Sequence, residues 1–121
     1  MRMTIITMYF VLLVLGVKSQ GALKQQIRAE YYADAAADRF DLDEEARNKV
    51  EQQKLKDLYK LSELRHRYVD GELTAEEHQA AVNVNIREQI IALTEIVGQD
   101  KKQVSAFFYE VTKEMAILRD I

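Results

Sequence analysis

Residues that break helices are nearly missing from this chain. Proline occurs at none of its 121 positions, and the four glycines stand at 16, 21, 71 and 98. Proline removes a backbone donor, and glycine costs about 1 kcal/mol in a helix interior, so the long stretches between glycines are free to stay helical. Start signals follow two of the glycines. Gly71 precedes Thr74-Ala75-Glu76-Glu77, the spacing in which a threonine hydroxyl and a glutamate carboxylate each satisfy the other's backbone amide. Gly98 precedes Asp100-Lys101-Lys102-Gln103, a D-x-x-Q version of the same box. A third start lies between Phe40 and Glu45, where Asp41 with Glu44, or Asp43 alone, can cap the first turn. These signals predict helices near 21–38, 43–69, 75–97 and 101–119.

Apolar spacing supports that division. Val82, Ile86, Ile90, Leu93 and Val97 recur at steps of three and four, with Ile91 and Ile96 beside them. Val104, Phe107, Phe108, Val111, Met115 and Leu118 do the same in the last segment. Val50, Leu55, Leu58, Leu61, Leu64 and Tyr68 mark the second, and the first carries Leu23, Ile27 and Tyr31 before the alanine-rich stretch Ala33–Ala37. Each stripe covers one face, and each face must lie on another helix. Short turns make successive helices antiparallel neighbours. The expected fold is all-α: a helical hairpin or bent three-to-four-helix layer. Thin layers of this size need a second copy to cover their faces, so a homodimer is expected.

The N-terminus reads differently. Arg2 is followed by an apolar run from Met3 to Val17, broken only by Thr4, Thr7 and Gly16. A spanning helix needs about 20 apolar residues, whereas the core of a signal peptide needs roughly 7–15. Small residues at Val17 and Ser19 suit cleavage after Ser19, with cleavage after Gly21 as a second option. Residues 1–19 are expected to be a signal peptide and 20–121 a single helical domain exported from the cytoplasm. A short uncleaved anchor is the alternative. Removing Arg2 and Lys18 takes two positive charges and no acid from a net −3, which leaves −5. Such a field does not favour nucleic acid.

No catalytic constellation is visible. Cysteine is absent, which excludes disulfides, thiolate metal sites and cysteine nucleophiles. His66 and His78 fall on different helices on either side of the Gly71 turn, without the i, i+4 partner of a zinc-binding helix. They are weak metal candidates and read better as surface side chains. The acid pairs in Asp43-Glu44-Glu45 and Glu76-Glu77 sit in first helical turns, where capping accounts for them. Arg65-His66-Arg67-Tyr68 concentrates positive charge where a helix's negative end welcomes it. The aromatic residues are more suggestive. At least one of Phe107 and Phe108 belongs to the core. Tyr31, Tyr32, Tyr59, Tyr68 and Phe108 are the candidates for contact with a protein partner, since such side chains give apolar contact without strict geometry. Neither catalysis nor a cofactor is expected.

The order of these pieces is more specific than any one of them. Leu42-Asp43-Glu44-Glu45 opens a long charged helix, which ends in Arg67-Tyr68-Val69-Asp70-Gly71-Glu72-Leu73-Thr74-Ala75-Glu76-Glu77 before a second long helix. Over roughly 35–119 the chain resembles the Spy/CpxP family of small bacterial periplasmic stress proteins. The family's L-T-x-x-Q motif is met only in part: the first copy reads Leu42-Asp43-Glu44-Glu45-Ala46, with aspartate in the capping role and alanine for glutamine, and the second, at Val97-Gly98-Gln99-Asp100-Lys101, keeps only the cap-and-turn character. The resemblance implies a cradle-shaped helical dimer that acts as an ATP-independent chaperone, a stress-signalling adaptor or a metal-responsive regulator. Scarce histidine and absent cysteine disfavour the last. The partners it implies are unfolded or misfolded proteins, or a membrane sensor protein.

Overall fold

The structure is a computed structural model that describes residues 19–119. The expected signal peptide, residues 1–19, lies outside the described residues except for Ser19. Among the described residues four helices follow one another: α1 (Ser19–Phe40), α2 (Glu44–Val69), α3 (Ala75–Val97) and α4 (Lys101–Arg119). The described residues contain no strand, and none of their helices is long and apolar enough to cross a membrane.

The turns show how the capping signals resolve. Asp41 does not cap α2. It takes the left-handed conformation, φ 53°, just past α1, and the Leu42 amide reaches back to the Ala37 carbonyl at 3.0 Å, a Schellman closure made without glycine. Asp43 caps α2, its carboxylate accepting from the Ala46 amide at 2.8 Å. Gly71, at φ 81°, closes α2 through the Glu72 amide on the Arg67 carbonyl and its own amide on the Tyr68 carbonyl. The Thr74–Glu77 box is complete in both directions. The expected Asp100–Gln103 box does not form: Asp100 accepts from the Lys102 amide at 3.3 Å instead.

The chain is an antiparallel cycle, because α4 returns to α1 as well as following α3. Tyr32 and Phe40 of α1 meet Phe107 of α4 at centroid distances of 5.8 and 5.2 Å. On the surface Tyr31 donates to Glu114 at 2.6 Å and Arg39 pairs with Glu110 at 2.6 Å. On α1, Ala29, Ala33 and Ala36 are fully buried. They share one face at i, i+4 and i+7, and their small side chains let α2 approach closely. Val104, Phe107, Phe108, Val111 and Met115 bury the whole stripe of α4 as far as its side chains are described.

Packing is uneven along the bundle. At the end bearing the α1–α2 and α3–α4 turns, Phe40, Leu42, Ile96 and Val97 pack against the core. At the end bearing the α2–α3 turn the core thins. Leu61, Leu64 and Val82 are only half-buried there, and Leu23, Ile27, Val69 and Ile117 stand exposed.

Candidate functional site

Between the closed and open ends lies a polar layer. Lys54 and Asp57 occupy the inward face of α2, and Asn85 and Gln89 that of α3, all four buried. They follow the positions of Val50 and Leu58, and of Ile86 and Leu93, so helical geometry carries them into the core regardless of their polarity. Lys54 Nζ donates to Gln89 Oε1 at 2.6 Å, and Gln89 Nε2 donates to Asn85 Oδ1 at 2.6 Å. Gln53 Nε2 donates to both Asp57 oxygens at 3.2 and 3.3 Å. No buried side-chain nitrogen or oxygen among the described residues lacks a partner, as a stable polar network requires.

Two aromatic faces complete the surroundings of Lys54. Its ammonium lies 4.3 Å from the Tyr32 ring centroid and 5.0 Å from that of Phe108, within cation–π range. Burial nevertheless dominates and brings the Lys54 ammonium down from 10.5 to about 8, with Asp57 opposing the change. Burial also raises the Asp57 carboxyl, against the pull of its Gln53 bonds and of Lys54. Burial raises the Tyr32 hydroxyl, and the charge on Asp57 adds to that. Beside these groups is a cavity of about 10 Å³ lined by Tyr32, Gln53, Lys54, Asp57 and Gln89 among others, room for about one water molecule. A lysine amine brought near neutrality can form Schiff bases with carbonyl compounds. Here its contacts are an amide oxygen and two ring faces, those of a structural cation.

On the other side of Lys54, toward the open end, the helices leave a groove of about 450 Å³, within the usual size range of ligand sites. Leu58, Leu61, Val82, Ile86, Phe108 and Met115 make its apolar wall. Its polar lining includes Lys54, Arg28, Arg65, His78, Tyr109 and Thr112, without a single carboxylate. This contrasts with the surface space between α1 and α4, which holds Asp34, Asp38, Glu110 and Glu114.

The structure does not gather the five aromatic contact candidates into one surface. Tyr32 and Phe108 are each 3% exposed, which corrects their assignment to a contact surface: both rings are committed to the core and to Lys54, and Phe108 meets the groove only as part of its wall. Tyr31 is half-buried and held by Glu114, a bond that also raises its hydroxyl pKa. Tyr59 and Tyr68 are exposed. Tyr68 stacks on His78 at 4.9 Å across the α2–α3 turn, and His66 is exposed. No three potential metal-binding side chains converge among the described residues.

Sequence reasoning passed over Lys54, Asp57, Asn85 and Gln89. The signal was present as interruptions in otherwise regular stripes, at the positions where another apolar residue was due. Comparison with known proteins adds no relative: no family model, no curated protein and no solved structure matches the chain.

Proposed function

We propose that this protein is a non-catalytic, ATP-independent binding protein of the periplasm, a chaperone-like or envelope-stress adaptor that holds other proteins on its helical surface. The observation that carries the reading is the apolar groove at the thinly packed end, with Leu23, Ile27 and Ile117 exposed toward the same end of the bundle. Monomeric proteins seldom leave such surface uncovered without a use for it. The leader-like segment and the order of motifs resembling the Spy/CpxP family support the location and the class. Clients would bind by inserting apolar side chains into the groove, with Tyr59 and Tyr68 offering contact nearby. The test is suppression of aggregation of several unfolding clients at stoichiometric ratio without ATP, with Val82→Glu in the groove wall weakening it. No suppression by the unaltered protein across those clients rejects the proposal.

A second reading, docking on one membrane sensor or on a second copy, is favoured by a different surface. Val84 and Ile91 are both about half exposed, at 44% and 48%, and seven residues apart they share one face of α3. One tight partner in a pull-down, with little activity on generic clients, would favour the sensor. A twofold mass in light scattering would favour the homodimer. A metal-responsive role predicts zinc, copper or nickel binding in calorimetry near neutral pH.

A further inference from the structure

The lining of the groove specifies more than apolarity, and the ligand class it selects rests on the reading of that groove as a binding site. Of its cations, Lys54 is already committed to Gln89. Arg39, Arg47 and Arg67 each pair with a carboxylate, whereas among the described residues Arg28 and Arg65, the two arginines lining the groove, have no carboxylate within 4.0 Å. Arg28 donates only to the nearby Gln25 side chain, at 3.5 Å. In a chain with net charge −3, an apolar cleft bordered by a histidine and by two guanidiniums that have no carboxylate partner among the described residues is a local reversal of sign. It favours an anionic ligand and disfavours the chain's own leader, whose charges are Arg2 and Lys18 with no acid.

Shape narrows the choice. The groove follows α2 from Lys54 to Arg65, eleven residues or about 16 Å at the helical rise. A hydrocarbon chain laid along that length would meet the apolar wall of Leu58, Leu61, Val82 and Ile86. Staggered carbon–carbon bonds of about 1.5 Å advance the chain by roughly 1.25 Å per carbon, so about twelve carbons span the groove.

We infer that the groove binds a single-chain anionic amphiphile, a long-chain carboxylate, with its hydrocarbon along Leu61, Val82, Leu58 and Ile86 and its carboxylate against Arg28 and Arg65 at the rim. Such a ligand would compete with protein clients for the same wall. The probe is dodecanoate below its micelle concentration, titrated calorimetrically into the purified protein beside dodecyltrimethylammonium. One dodecanoate per chain is expected, bound at least tenfold more tightly than the cationic analogue. The double variant R28Q/R65Q should weaken dodecanoate about fivefold or more and remove the preference. Leu61→Trp, which fills the groove, should abolish binding with helical content unchanged. Equal affinity for the two amphiphiles, non-saturating binding, or indifference to R28Q/R65Q overturns the inference. So does capture of an acidic amphipathic peptide without dodecanoate binding. Client holding in the absence of dodecanoate binding defeats this inference alone, and loss of both defeats the holding reading as well.

Discussion

Lys54 makes the stability of this bundle depend on pH in an unusual direction. Its ammonium is brought down from 10.5 to about 8 in the fold, while in the unfolded chain it returns to its ordinary value. At 1.36 kcal/mol per pH unit of difference, keeping Lys54 charged inside the core costs about 3 kcal/mol. The sign follows from proton counting. Between about 8 and 10.5 the unfolded chain holds the extra proton, so stability rises as pH rises through that window. The raised Tyr32 hydroxyl acts oppositely, but only once pH passes the ordinary tyrosine value of about 10, which leaves the interval from 8 to about 10 to Lys54. Urea unfolding followed by circular dichroism at pH 7, 8, 9 and 10 should show a gain of about 2 kcal/mol or more. Lys54→Met should flatten that profile. At pH 7 the variant sheds the cost of the buried charge but leaves Gln89 Oε1 without its donor, at about 1–3 kcal/mol, so its net stability should lie close to that of the unaltered protein or slightly above. A flat profile in the unaltered protein, or the same slope in Lys54→Met, would refute the assignment of a charged lysine to the core.

Other expectations concern the frame around that site. Phe107→Ala removes a 3%-exposed ring that contacts Tyr32 and Phe40 and should cost about 3–5 kcal/mol, read as loss of the cooperative thermal transition or a large fall in its midpoint. Thr74→Ala breaks the reciprocal cap of α3 and should cost about 1 kcal/mol, a drop of about 4–8 °C in melting temperature for a domain of this size. Gly98→Ala should cost about 1–2 kcal/mol purely through its φ of 70°, because a β-carbon there meets nothing within 4 Å; Gly98→Asn should recover part of it. Asp41→Gly relieves the positive φ of 53° and should be neutral or slightly stabilising in the same melt, whereas Asp43→Ala should destabilise by about 1 kcal/mol through loss of the α2 cap.

Local chemistry made the helices readable. The four observed spans follow the glycine stops and acidic or threonine starts to within two residues, because caps act over three or four residues and need no tertiary information. Asp41 and Asp43 both fit the N-terminal cap of α2 by type. Only the backbone path, which turns left-handed at Asp41, separates their roles. The site was harder to read for a physical reason. Whether Tyr32 and Phe108 are surface or core depends on α4 folding back onto α1, a contact between residues more than 70 positions apart. Lys54 was hidden because a lysine in a charged helix is ordinarily solvated. Its burial becomes apparent only when the phase set by Val50 and Leu58 is followed through it.

The placement of that lysine has a consequence for which arrangement of four similar helices the chain selects. Lys54 belongs to α2, its amide partner Gln89 to α3, its closer ring Tyr32 to α1 and its farther ring Phe108 to α4. One nitrogen atom thus serves as a common reference point for every segment. Apolar stripes alone tolerate sliding, since a helix displaced by one turn of about 5.4 Å still offers leucines and valines to its neighbours. The same displacement would draw Gln89 beyond bonding distance, or carry either ring out of reach of the ammonium, and strand a charge in hydrocarbon. The energy given up to bury Lys54 thereby becomes discrimination: it penalises shifted registers more than it penalises the native one.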